Sequence, residues 1–101
     1  MDKHIRLIGR LICEDAAEAD LVRSLLPEHV RLTREEEGCL QFDVTELPGT
    51  TIWEVEELFA DKAAFDRHQE RVRGSDWGRQ TGHIRRSYEV DEVDPDTSDR
   101  A

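Results

Sequence analysis

EELFADKAAFDRHQ (Glu56 to Gln69) and TREEEGCLQFDV (Thr33 to Val44) decide how this chain folds. The first runs from a strand into a helix, the second from a helix into a strand. Ile52 to Phe59 alternates at period two, with Trp53, Val55, Glu57 and Phe59 on one face. Asp61 is placed to cap the next helix, in which Ala64, Phe65, His68 and Val72 share a side. In the other stretch a helix extends to about Glu37 and Gly38 supplies a left-handed cap. Cys39 to Leu47 then reads as a strand with Leu40, Phe42 and Val44 inward. Pro48-Gly49 turns the chain, so the two strands form a hairpin.

Working outward, Ile5 to Cys13 is a strand with apolar residues on both faces, which places it in the middle of a sheet. Asp15 and Glu18 have the spacing of a capping box. Leu21, Val22, Leu25, Leu26 and Val30 follow as a buried helical stripe, which Pro27 is expected to kink or break. Gly74-Ser75 ends the second helix, and a short third helix fits around Trp77. Ser87 to Val93 is the last strand, with Tyr88 and Val90 inward. Residues 1–93 therefore form one α+β domain of ferredoxin-like β-α-β-β-α-β order, and 94–101 form an acidic flexible tail. Helices on one sheet face leave the other face in want of a cover, and a second copy of the chain is the expected one.

Composition narrows the function. The chain has 101 residues, enough for one domain, with a net charge of −10 from 24 acidic and 14 basic residues. Such a surface repels phosphate backbones and anionic headgroups, so neither nucleic acid nor membrane is an expected partner. No apolar signal core is visible at the N-terminus, and the cytoplasm is the expected location. Cys13 and Cys39 lack redox or zinc spacing and are expected as reduced thiols; the four histidines show no paired metal-site spacing. No Gly-rich phosphate loop, nucleophile elbow or haem-attachment motif is present.

Two ionisable residues stand on apolar faces. His68 faces the sheet, where a neutral imidazole can accept a proton near cellular pH. Glu57 lies on the strand face opposite and must be paired or protonated, either by orienting His68 or by an ion pair with Arg10 or Arg71. Phe42, Trp53, Phe59, Phe65 and Trp77 can line a pocket for a flat apolar ligand, or simply fill a core. Glu35, Glu36 and Glu37 read as a solvated helix end.

Here the residues resemble a known family. Glu36-Glu37-Gly38-Cys39-Leu40-Gln41-Phe42 is similar to the Glu-x-Gly-Cys-Leu-x-Phe/Tyr pattern of the antibiotic biosynthesis monooxygenase (ABM) family, with Glu37 where proline is frequent. Glu57, Phe59, Asp61, Ala63, Ala64 and His68 match a second pattern of that family, with Phe59 where Trp is common. The resemblance implies a homodimeric α+β barrel and a quinol-monooxygenase-like enzyme. Such an enzyme would oxidise a small quinol or phenol with O2 and need no cofactor or metal. By that resemblance His68 is the catalytic base, Glu57 orients it, and the five aromatic residues bind the small aromatic substrate. The haem-degrading branch relies on an asparagine, and this chain contains none. A non-catalytic dimeric binding module of the same fold is the alternative.

Overall fold

The computed structural model of the chain describes residues 3–95. Its elements run β1 (His4–Ile12), α1 (Ala16–Arg34), β2 (Cys39–Glu46), β3 (Ile52–Phe59), α2 (Lys62–Arg73), α3 (Asp76–Thr81) and β4 (Arg85–Val93). The four strands make one antiparallel sheet in the order β2-β3-β1-β4. β1 is central, as its two apolar faces imply. The expected ferredoxin-like order is thus present, with α3 added before the last strand. Of the expected tail, residues 96–101 lie outside the described residues.

The helices cover one face of the sheet. Leu7, Leu11, Trp53 and Val55 from the strands, with Cys13 just after β1, meet Ala19 and Val22 of α1, Trp77 of α3, and Ile84. Full burial of a side chain such as Leu11 or Val22 is worth about 1.5–3 kcal/mol, so this layer dominates the stability of a chain of this size. Asp15 caps α1 by accepting from the Glu18 amide at 3.0 Å, and Asp61 caps α2 by accepting from the Ala64 amide at 2.8 Å. Both caps lie where the sequence puts them.

Several local expectations are corrected. The break expected at Pro27 is absent, since α1 runs through it as one continuous helix. Pro27 and Arg23 are both exposed, so water can take the carbonyl that loses its usual donor. The helix ends at Arg34, and a turn over Glu35–Gly38 precedes β2. The buried positions of α1 are Ala19, Val22, His29 and Thr33, so its inward stripe is partly polar. A β-bulge between Cys39 and Gln41 makes Leu40 the unpaired extra residue and leaves it 52 % exposed rather than inward. Val90, also expected inward, is 51 % exposed: it lies on the edge strand β4, beyond the reach of the helices.

Gly38 fixes how β2 approaches α2. Its φ is +89°, and a Cβ there would stand 2.5 Å from the Cβ of Ala64. Gly38→Ala is therefore expected to destabilise by about 2–4 kcal/mol, through left-handed strain plus overpacking. Urea unfolding measures it; a loss below about 0.5 kcal/mol would show that the turn simply relaxes.

The uncovered sheet face is more polar than anticipated. Half-buried Ile8, Ile12, Ile52 and Leu58 are interspersed with exposed Arg6, Arg10, Asp43, Glu54 and Glu56. It forms a shallow concavity of about 560 Å³. Arg10 pairs there with Glu54 at 3.8 Å. Among the described residues no helix is long and apolar enough to cross a membrane.

Candidate active site

Register puts Glu57 in the middle of the sheet. It lies opposite Leu7 of β1 and Phe42 of β2, and its side chain points to the helical layer. Two turns into α2, His68 follows buried Ala64 on the same side and is itself 3 % exposed. The two side chains approach, with His68 Nε2 3.8 Å from Glu57 Oε1. That is too long for a hydrogen bond.

The partner of His68 is instead Glu36, in the turn after α1. Its Oε1 accepts from His68 Nδ1 at 2.8 Å, and its Oε2 accepts from Arg71 Nε. Arg71 also donates to Thr33 Oγ1 at 3.0 Å. A carboxylate bound to a guanidinium is an acceptor only, so His68 must carry its proton on Nδ1. Nε2 is left as a lone pair facing Glu57. The reading of the acidic run as uniformly solvated fails here. Glu35 pairs with Arg31 at the surface and Glu37 is exposed, but the Glu36 side chain is only 17 % exposed. Tight turns send neighbouring side chains in different directions, and a run of like residues does not reveal which one turns in. The available signal was the position of Glu36 at the head of the Glu-x-Gly pattern.

Glu57 pairs with neither Arg10 nor Arg71, which are engaged by Glu54 and Glu36. Its Oε1 is buried and has no hydrogen-bond partner among the described residues. Burial, helped by the nearby Glu36 charge and opposed by Arg86, pushes its pKa up to about 8. At neutral pH it is a carboxylic acid, a donor rather than a counter-charge. Burial also lowers the His68 pKa, against the pull of Glu36, so the ring is neutral at pH 7.

A third group, His29 of α1, was not singled out in the sequence. It stands seven residues after Val22 on the inward stripe, where spacing alone could have found it. Its ring stacks on Trp77 with centroids 4.6 Å apart and planes 4° from parallel, and meets Phe42 edge-on at 5.3 Å. Its Nδ1 is buried and without a partner among the described residues. Burial, with the nearby Arg71 and Arg86 charges and His68, takes its pKa down to about 3.

These groups surround a cavity of about 70 Å³ between sheet and helices, lined by His29, Phe42, Glu57, His68, Trp77 and Tyr88 among others. Of the five aromatic residues expected there, Phe42 and Trp77 line it. Phe59 packs behind His68 at 4.8 Å and against Phe65 at 5.7 Å, while Trp53 lies elsewhere in the core with Arg23 over its ring. A water occupies about 30 Å³, so the cavity as it stands has room for water and not for an aromatic ring.

The model of one family, antibiotic biosynthesis monooxygenase, matches residues 11–77, which span α1, both hairpin strands, α2 and Trp77. This chain is a member of the antibiotic biosynthesis monooxygenase (ABM) family. Solved structures share the fold of this ABM protein at low sequence identity. Rv0793 from Mycobacterium tuberculosis is 23% identical, with a TM-score of 0.69 over 86% of this chain and 91% of that one. PA3566 from Pseudomonas aeruginosa is 20% identical, with a TM-score of 0.67 over 92% and 94%. A protein described as an antibiotic biosynthesis monooxygenase is 24% identical, with a TM-score of 0.65 over 89% and 96%. No curated protein sequence matches this ABM chain.

Removing the acceptor of His68 should be felt. Glu36→Gln is expected to leave Arg71 without its counter-charge and His68 without the carboxylate that raises its basicity. The His68 pKa then falls further, since burial acts unopposed. NMR titration of the His68 ring checks this, and an unchanged or raised value would contradict it.

Proposed function

We propose that this ABM protein is a cofactor-independent monooxygenase that oxidises a small quinol or phenol with O2. The observation that supports this best is the unoccupied lone pair of His68 Nε2, set by the Glu36 bond and facing a cavity beside an uncharged Glu57. A substrate hydroxyl placed between the two could give its proton to Nε2 and accept a hydrogen bond from the Glu57 acid. Glu57 would then stabilise the phenolate as an acid rather than orient the base; Glu36 takes the orienting role.

The chemistry balances without a further reductant. Proton transfer to Nε2 makes the ring electron-rich, and a ring carbon adds to O2 to form a C–O bond. The resulting peroxide takes protons, one of them returned from His68, and its O–O bond breaks. One oxygen stays on the ring and the other leaves as water, so phenol plus O2 gives quinone plus water. Burial of the site, where Glu57 is 6 % and His68 3 % exposed, keeps bulk water from the anion and strengthens both hydrogen bonds.

In this reading two copies pair through the uncovered sheet face, where Ile8, Ile12, Ile52 and Leu58 would be buried. The free thiols of Cys13 and Cys39, both held above their usual pKa mainly by burial, suit a reducing cytoplasm.

The small cavity volume favours a second reading, a non-catalytic binding module of the same fold. Oxygen consumption decides between them. Purified protein is assayed against hydroquinones and polycyclic phenols, and uptake above the spontaneous rate is expected for at least one class. A flat trace across the panel, with binding intact, would select the module.

A further inference from the structure

Two residues that line the cavity each carry a buried polar atom without a partner among the described residues, and the proposed chemistry uses only one of them. Glu57 Oε1 is engaged at the reacting hydroxyl. His29 Nδ1 is left over, on a residue only 5 % exposed. Leaving such an atom unsatisfied costs about 1–3 kcal/mol, a cost that binding a ligand group would remove. His29 sits one ring away from the reacting end, its centroid 6.2 Å from that of His68.

A second observation concerns space. Between α1 and the α2–α3 corner lies an outer groove of about 380 Å³, lined by Leu25, Leu32 and Ser75 among others. His29 and Trp77 line both this groove and the inner cavity. Their stacked rings are therefore the partition between the two. The inner cavity alone is too small for an aromatic ring, whereas the outer groove falls within the range of about 300–1,000 Å³ that ligand pockets usually span, so a ligand that reaches the inner polar groups would have its bulk in the groove.

We propose that His29 is a second ligand-contacting residue, and that the ligand runs from the His68–Glu57 end past His29 into the outer groove. The ligand class is an aromatic with a hydroxyl at the reacting end and a second oxygen function, hydroxyl or carbonyl, that meets His29. This rests on the cavity being a substrate site. A neutral imidazole suits the task, because one ring nitrogen donates and the other accepts. The ring uncovers its nitrogen to the ligand when the His29–Trp77 stack parts.

The test is calorimetric binding under nitrogen, where no turnover can occur, using 1-naphthol and 1,4-dihydroxynaphthalene. Wild-type protein should bind the diol roughly tenfold or more tightly than the mono-alcohol, the difference a buried polar contact gives. His29→Phe keeps an aromatic ring against Trp77 but has no polar atom, and the ratio of the two affinities should collapse towards one. His29→Gln, which retains a donor and an acceptor, should restore part of the preference. An unchanged ratio in His29→Phe, or no preference in wild type, would overturn the role of His29 while leaving the cavity reading intact. Failure of both compounds to bind would overturn the cavity reading, and this proposal with it.

Discussion

His68→Ala is expected to abolish substrate-dependent oxygen uptake, with a loss of about 10²–10⁴-fold, the usual worth of a positioned general base. Among the described residues nothing else at the cavity can replace it. Glu57 is protonated at neutral pH, with its pKa at about 8. His29 has the proton affinity of a much weaker base, with its pKa at about 3. Tyr88 is held protonated chiefly by burial. Among the described residues the Nε2 lone pair of His68 is thus the one acceptor with suitable basicity beside the Glu57 acid. The variant would also free the Glu36 carboxylate of one partner, but Arg71 still pairs with it, so the fold should survive. Circular dichroism confirms folding and an oxygen electrode gives the rate. Turnover within tenfold of wild type would remove His68 from the role of base.

Glu57→Gln is expected to stabilise the protein by several kcal/mol at pH 8, and by almost nothing at pH 4.5. Glu57 has its pKa raised to about 8 from an ordinary 4.5, so between these values the folded chain holds a proton that the unfolded chain releases. Stability is then lost as pH rises, by about 1.4 kcal/mol per pH unit at most, and the loss is complete above pH 8. Glutamine has the same shape and no charge, so it escapes this loss. The two buried histidines act in the opposite sense. His29, lowered to about 3, and His68, also lowered, favour the fold while neutral, so they withdraw stability as pH falls from about 6.5. Subtracting wild type from variant cancels their contribution and leaves the Glu57 profile. Denaturant unfolding between pH 4.5 and 8.5 measures the difference. If it does not vary with pH, Glu57 is ionised throughout and the site carries a negative charge.

The two predictions differ in how far they could be written from sequence. His68 was legible because a helix repeats every 3.6 residues, and its spacing from Ala64 and Val72 fixes its side. Glu57 was legible as an oddity on an apolar strand face by the period of two. Its protonated state was not legible, because that depends on which cations reach it. Arg10 and Arg71, the ion-pair partners expected from sequence, are taken by Glu54 and Glu36. Glu36 was misread because turns have no period, and Leu40 because a bulge breaks the period of two exactly where it was relied on. His29 followed the helical period, but a lone histidine on an apolar stripe carries no sign of the ring it will stack on.

By itself the sequence determined the elements, their order, the family and the inward faces of β1, β3 and α2. These depend on local periodicity, capping and turn chemistry, which neighbouring residues carry with them. Only the tertiary structure decided who meets whom across the cavity. It joined Glu36, His68 and Arg71, stacked His29 on Trp77, and left two buried polar atoms unpaired. Those outcomes depend on distances between residues 32 to 48 positions apart, on different elements, and on the displacement of water that shifts each proton affinity.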